Sequence, residues 1–198
     1  MKSNVCKIEN GTKDLAAILK ESEKVAVYNE LTHKETLQLR LLCEEIDGML
    51  PNIIDNFNGE LWIEFEERVC RVNISLSFEE FTAEKKSELV AIAKNKKNAA
   101  AVGIVGKIRS AIENAFLDDT VALGFKAAES AYFCEHGAPY HIDYSYVWDL
   151  EQYRSTVKDA KSEAWDELEK SVIASVADDV IVGVKGKRAD IIIVKKFA

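Results

Sequence analysis

The residue types that could do chemistry fall in four places. Adjacent carboxylates Glu44 and Glu45 lie in an apolar, helix-forming stretch. Neighbours on a helix point about 100° apart, so only one of the two can face a pocket and the other is solvated. By residue type alone, both are surface charges. Lys94, Lys97 and Asn98 precede a second helical stretch that contains Lys107. A helix N-terminus flanked by lysines is suited to an anion, because its free amides and dipole favour negative charge. The plain alternative is a solvated, lysine-rich turn between helices. Gly103-Ile104-Val105-Gly106-Lys107 resembles a phosphate loop only in outline. Ala101 stands where that motif needs Gly, Ile108 stands where it needs Ser or Thr, and no strand precedes it. Cys134, His136 and His141 could ligate a metal, but a zinc site needs paired ligands on both sides and one side is missing. A surface loop is the expectation there.

The elements that would position these groups follow from periodicity. Residues 12–30 carry an imperfect helical stripe of Leu15, Ile18, Leu19, Val25, Val27 and Tyr28. Thr32-His33-Lys34-Glu35 is a capping box, so a second helix starts there and His33 needs no further role. Leu37, Leu39, Leu41, Leu42, Ile46, Met49 and Leu50 make that helix apolar enough to lie against a sheet, and Pro51 is expected to kink or interrupt it. Alternation in 61–66 and 72–76 predicts an antiparallel hairpin over 60–77. Helical periodicity returns in 82–95 and 98–117, where Ala101, Val105, Ile108, Ile112 and Phe116 share a face. It returns again in 158–177, with Trp165, Leu168, Val172 and Val176 inward. Strands 180–184 and 191–195 close the chain. The stretch 131–147 has no clear pattern. Hairpins backed by helices make an α+β fold, a two-layer α/β sandwich with an antiparallel or mixed sheet and helices on one face.

Composition restricts the function classes. The chain has 198 residues, 47% hydrophobic and 30% charged, which suits one domain over 1–198, ordered from near residue 12. A formal net charge of −8 with no basic run argues against nucleic acid as a partner. No leader-like segment or membrane-length apolar run is present, so a cytoplasmic protein is expected. Cys6, Cys43, Cys70 and Cys134 form no CxxC pair, and Cys43 and Cys70 fall on apolar positions, which reads as buried reduced thiols. Asp178-Asp179 stands between a helix and a strand, where a structural role is expected.

The order of elements, with a Glu-Glu pair in the helix before the first hairpin, resembles the GHKL (Bergerat) ATP-binding fold. The nearest likeness is to anti-sigma-factor serine kinases and histidine-kinase ATPase domains. It is carried by the stretches 170–182 and 189–196, similar to that family's last helix and closing strands, and by 41–46, similar to the start of its N-box helix. The likeness spans 35–78 and 160–198 and leaves 80–157 as a divergent lid or insertion. It implies Glu45 as the base, with the Mg²⁺-ligating Asn one turn later. That position is Met49, a poor partner for a hard ion that takes oxygen ligands. Asp47 and Gly48 are nearby, and Asn52 comes nearly a turn late. The adenine-binding Asp-x-Gly falls on 76–81, which has acids and no glycine. The phosphate-binding glycines fall on Asp166-Glu167-Leu168-Glu169-Lys170.

The resemblance therefore implies a degenerate, bacterial-type regulatory module. It would bind a protein partner, with a homodimer allowed, and have no need of a cofactor and no efficient ATP hydrolysis. The alternative is a divergent ATP-binding, serine- or histidine-kinase-like enzyme. Glu45 would be its base, Lys94, Lys97, Asn98 and Lys107 its phosphate contacts, and ATP with Mg²⁺ its cofactor. A third reading is an unrelated α/β enzyme with its site in 131–147.

Overall fold

A computed structural model describes residues 1–9, 15–54, 56–78, 103–117, 146–158 and 171–198. In chain order the elements are β1 (Cys6–Glu9), α1 (Leu15–Tyr28), α2 (His33–Ile53), β2 (Asn58–Glu66), β3 (Val69–Ser77), α3 (Gly103–Leu117), β4 (Tyr146–Asp149), α4 (Leu150–Lys158), α5 (Val172–Val176), β5 (Asp179–Lys185) and β6 (Arg188–Lys196). The six strands form one open sheet in the order β1-β2-β3-β6-β5-β4. Every neighbouring pair is antiparallel, so the mixed arrangement drops out. The fold is α+β, and the buried side chains of all the described helices join a single cluster on one face of the sheet.

Alternation in the strands explains which face is which. Ile63, Val72, Ile193 and Val180 lie in one row across four strands. Each is at most 1% exposed. Removing such a side chain from water stabilises the fold by about 2–3 kcal/mol. Leu39, Leu42, Cys43, Ile46, Met49, Leu50 and Ile53 of α2 cover this face, joined by Ile18 and Val25 of α1 and by Ile104, Ile108 and Ile112 of α3. On the opposite face Ile181, Ile192 and Val194 form a second, smaller cluster.

Several expectations need correction. Order begins before residue 12: β1 pairs with β2, and Met1 and Ser3 continue alongside β2 through Phe65 N–H to Met1 O at 2.8 Å and Ser3 N–H to Ile63 O at 2.8 Å. Pro51 does not interrupt α2, which runs on to Ile53 with Ile54 N–H closing on Leu50 O at 3.2 Å. So close to the end, the missing proline N–H removes little. Val27 and Tyr28 of α1 point outward, 80% and 72% exposed, because α1 buries Ile18, Glu21, Ser22, Val25 and Ala26 instead. Leu37 and Leu41 of α2 are likewise exposed. Of the helix expected over 158–177, residues 159–170 lie outside the described residues, and its described end, α5, buries Ile173 and Ala174, with Val172 and Val176 only half-buried. In α3 it is Ile104, Ile108, Ala111 and Ile112 that face the core, and Val105 is half-buried. Trp165, Leu168, Ala101 and the helix expected over 82–95 lie outside the described residues; Phe116 falls in α3, and nothing is said of its side chain. No described helix is long and apolar enough to cross a membrane.

Two turns fix the hairpins. Gly186 opens the β5–β6 turn at φ +55°, which glycine adopts without cost. Glu67 and Arg68, between β2 and β3, both take left-handed backbone, φ +49° and +64°. A two-residue hairpin of this hand usually uses Asn-Gly. Here each side chain costs on the order of 1 kcal/mol, and Arg68 offsets that through its contacts described below.

Candidate functional site

Helix α2 positions the two candidate carboxylates. Its start is fixed by the capping box: Glu35 accepts the Thr32 N–H at 2.8 Å, and Thr32 Oγ1 accepts the Glu35 N–H. Hydrogen bonds from Thr32 hold the Glu35 carboxyl below its ordinary pKa, assisted by the nearby Arg68. Further along, Glu44 accepts from Arg40 Nε at 3.0 Å, and Arg40 also lies 3.5 Å from Glu23 of α1. Glu44 is thus a surface ion-pair partner. Glu45 is half-buried at the margin of the packed face and makes no ion pair or hydrogen bond with another described residue. Met49, one turn on and on the same side, is 3% exposed and belongs to the core cluster. Asn52, nearly a turn further on, donates its side-chain N–H to Gly48 O at 2.9 Å, and its backbone carbonyl accepts from Arg109 Nη1 at 3.5 Å. At the end of β3, Leu76 and Phe78 are buried and Phe78 N–H donates to Lys187 O.

Lys107 sits in the second turn of α3. Its Nζ lies 5.3 Å from the ring centroid of Tyr153 on α4, and Tyr153 in turn packs on Trp148 of β4 with centroids 5.9 Å apart. Gly103 and Gly106 are helical, so this segment is a helix start and not a loop folded round a phosphate. Burial pushes the Tyr153 hydroxyl above its ordinary pKa. Trp148 and Tyr153 were not singled out by sequence pattern, because they fall at the edge of the unassigned aromatic stretch. Lys94, Lys97, Asn98, Cys134, His136 and His141 lie outside the described residues. Among the described residues no group of three or more His, Cys, Asp or Glu could hold a metal ion.

A second acidic group joins Asp178 and Asp179 with Asp149, which has no part in the pattern read from the sequence. Asp149 Oδ1 accepts the Gln152 N–H at 2.7 Å and so caps α4. Asp149 followed three residues later by Gln152 was the available signal. Asp179 Oδ1 accepts the N–H groups of Val180 at 2.8 Å and Glu151 at 3.2 Å. Burial first, with repulsion from Asp179, raises the Asp149 pKa. Asp178 accepts from Lys196 N–H at 2.6 Å and pairs with Lys195 at 3.2 Å. Asp178 and Asp179 are therefore structural, as their position suggested. Cys6, Cys43 and Cys70 are buried, and no disulfide joins them to one another. Burial pushes Cys43 up to about 12 and raises Cys70 as well, so neither is a nucleophile near neutral pH.

The described arrangement defines a class, an open antiparallel sheet with helices packed on one face. No protein-family model matches the chain, and no curated protein or solved structure matches it.

Proposed function

We propose that this chain is a degenerate GHKL ATPase-like domain that works as a regulatory, protein-binding module without efficient ATP hydrolysis. The observation that carries the reading is Met49. It stands one turn after Glu45, where the resemblance calls for a Mg²⁺-ligating side chain, and it is packed into the apolar core. A thioether surrounded by aliphatic groups offers a hard cation nothing. Glu45 then has a carboxylate but no metal-ligating side chain one turn further along its helix. The exposed Val27, Tyr28, Leu37 and Leu41 on α1 and α2 are consistent with a surface that meets another protein.

Calorimetric titration of ATP and Mg²⁺ into the protein at about 100 μM tests this. No heat is expected, corresponding to a dissociation constant weaker than about 1 mM. Tight, magnesium-dependent binding that Glu45→Gln abolishes would overturn the reading in favour of a divergent ATP-binding enzyme.

A further inference from the structure

The sheet face opposite the main core is closed over much of its width, with Trp62, Asn73, Ile181, Ile192 and Val194 at most 8% exposed. It opens at one corner into a groove of about 450 Å³, whose lining includes Lys7, Asn58, Glu60, Ser75, Ser77 and Arg188. Register accounts for their convergence. Glu60 stands opposite both Lys7 and Ser75, and Ser77 stands opposite both Asn58 and Arg188. The six residues thus occupy two adjacent rows of one face across four strands. Rows are about 6.6 Å apart and strands about 4.8 Å apart, so long side chains from opposite ends can meet one small molecule.

The groove carries charges of both signs, with Lys7 of β1 directly across from Glu60 of β2 and Arg188 of β6 ion-paired with Asp190. Arg188 approaches from β6, where Asp190 Oδ1 holds its Nε at 2.9 Å and so orients the guanidinium. Glu60 approaches from β2, with Glu9 of β1 further along the same groove. The hydroxyls of Ser75 and Ser77 lie between them on β3. A simple anion would gain from Arg188 and Lys7 and lose to Glu60 and Glu9, and a simple cation the reverse. A neutral molecule with a carboxylate at one end and an ammonium at the other satisfies both. We propose that this corner binds a small zwitterion, a free α-amino acid or a short peptide. Its carboxylate rests on the Arg188 fork and the Ser77 hydroxyl, and its ammonium on Glu60. A guanidinium matches a carboxylate in two-point geometry, and the volume is at the small end of ligand-sized cavities.

Titration calorimetry of the whole chain with each proteinogenic α-amino acid and with Gly-Gly-Gly tests the proposal. At least one probe is expected to bind with a dissociation constant of about 1 mM or tighter. An amino acid as the best probe indicates a free metabolite, and Gly-Gly-Gly as the best probe indicates a peptide end. Amidating the carboxylate or acetylating the amine of the best probe should weaken it about tenfold or more, as should Arg188→Gln and Glu60→Gln. Arg188→Gln should have no further effect on the amidated probe. Both side chains sit at the surface, and circular dichroism confirms that each variant is folded. Absence of binding by every probe overturns the proposal. So does inorganic phosphate binding as tightly as the best probe, or indifference of binding to both substitutions.

Discussion

Arg68 joins the β2–β3 turn to the cap of α2: its Nη2 donates to Glu35 Oε1 at 2.5 Å, while its Nε donates to the Ala198 carbonyl at 2.9 Å. Phe197 N–H returns to Arg68 O at 2.8 Å. One side chain in left-handed backbone therefore gathers a hairpin turn, a helix start and the residues after β6. The guanidinium contacts compensate for a backbone conformation that arginine disfavours.

Arg68→Ala should lower stability by about 1–2 kcal/mol, since it loses the contacts and keeps the backbone cost. Arg68→Gly loses the same contacts but relieves the left-handed residue, so it should be less damaging by about 1 kcal/mol. Urea midpoints at unchanged slope would show this ordering, and Gly equal to or worse than Ala would refute it.

The capping box makes part of the stability pH-dependent. The Glu35 carboxyl is held below its ordinary value of 4.5, first by the Thr32 backbone and side-chain hydrogen bonds. A depressed folded value means the contribution is present above 4.5 and is lost as pH falls through the lower folded value. Thr32→Ala should cost about 1 kcal/mol at neutral pH. Its difference from wild type should shrink on acidification below that window, which thermal melts across pH would detect.

Asp149 titrates in the opposite sense. Burial and Asp179 raise its pKa above the ordinary 3.8, so the folded state holds the proton more tightly and the charged form costs stability at neutral pH. Asp149→Asn keeps an acceptor for the Gln152 N–H, since asparagine caps helices as well as aspartate does. The variant should melt higher than wild type at pH 7, and the gap should close as pH falls toward 3.8. A lower melting temperature at pH 7 would show that the carboxylate charge is needed there.

How much of this was legible varied by element. Thr32 and Glu35 announced α2, because capping is local and its residues are three apart. The alternation of Leu61, Ile63 and Phe65 announced β2. By contrast, β1 is four residues long and pairs with a strand some fifty residues away, so Cys6-Lys7-Ile8-Glu9 carries almost no local signal. The pairing of β3 with β6, which unites the two hairpins in one sheet, is a long-range choice of register that no local pattern encodes. Helix faces were blurred where leucines fall on both sides of α2, and only packing distinguishes Leu39 at 0% from Leu37 at 51% exposure. At the site, the chemical misfit of Met49 with a metal was readable from its type, whereas its place in the core required the helix to be set against the sheet.

Gly59 tests the closeness of that sheet. A Cβ there would lie 2.6 Å from Ser75 O and 2.9 Å from Leu76 Cδ2. The first is backbone in a neighbouring strand and cannot rotate away. Gly59→Ala should therefore cost roughly 1–3 kcal/mol despite alanine's better intrinsic preference for ordered backbone. A neutral result in chemical denaturation would mean that β2 and β3 part more easily than their pairing implies.

Met49→Asn places back the side chain that the resemblance would require for Mg²⁺. In a pocket that only lacked its metal ligand, this change should raise magnesium-dependent ATP binding. In the packing described, the amide enters an apolar cluster beside Ile46, Leu50 and Ile53 and meets no hydrogen-bond partner among them. Burying an unpaired amide costs about 1–3 kcal/mol, with the lost thioether packing added to it. The variant should lose stability by that order and still give no heat with ATP and Mg²⁺, whereas Met49→Leu, which preserves volume, should cost less than about 1.5 kcal/mol. Gain of magnesium-dependent nucleotide binding at near-normal stability would mean that position 49 faces a cavity, and the regulatory reading would have to be replaced by an enzymatic one.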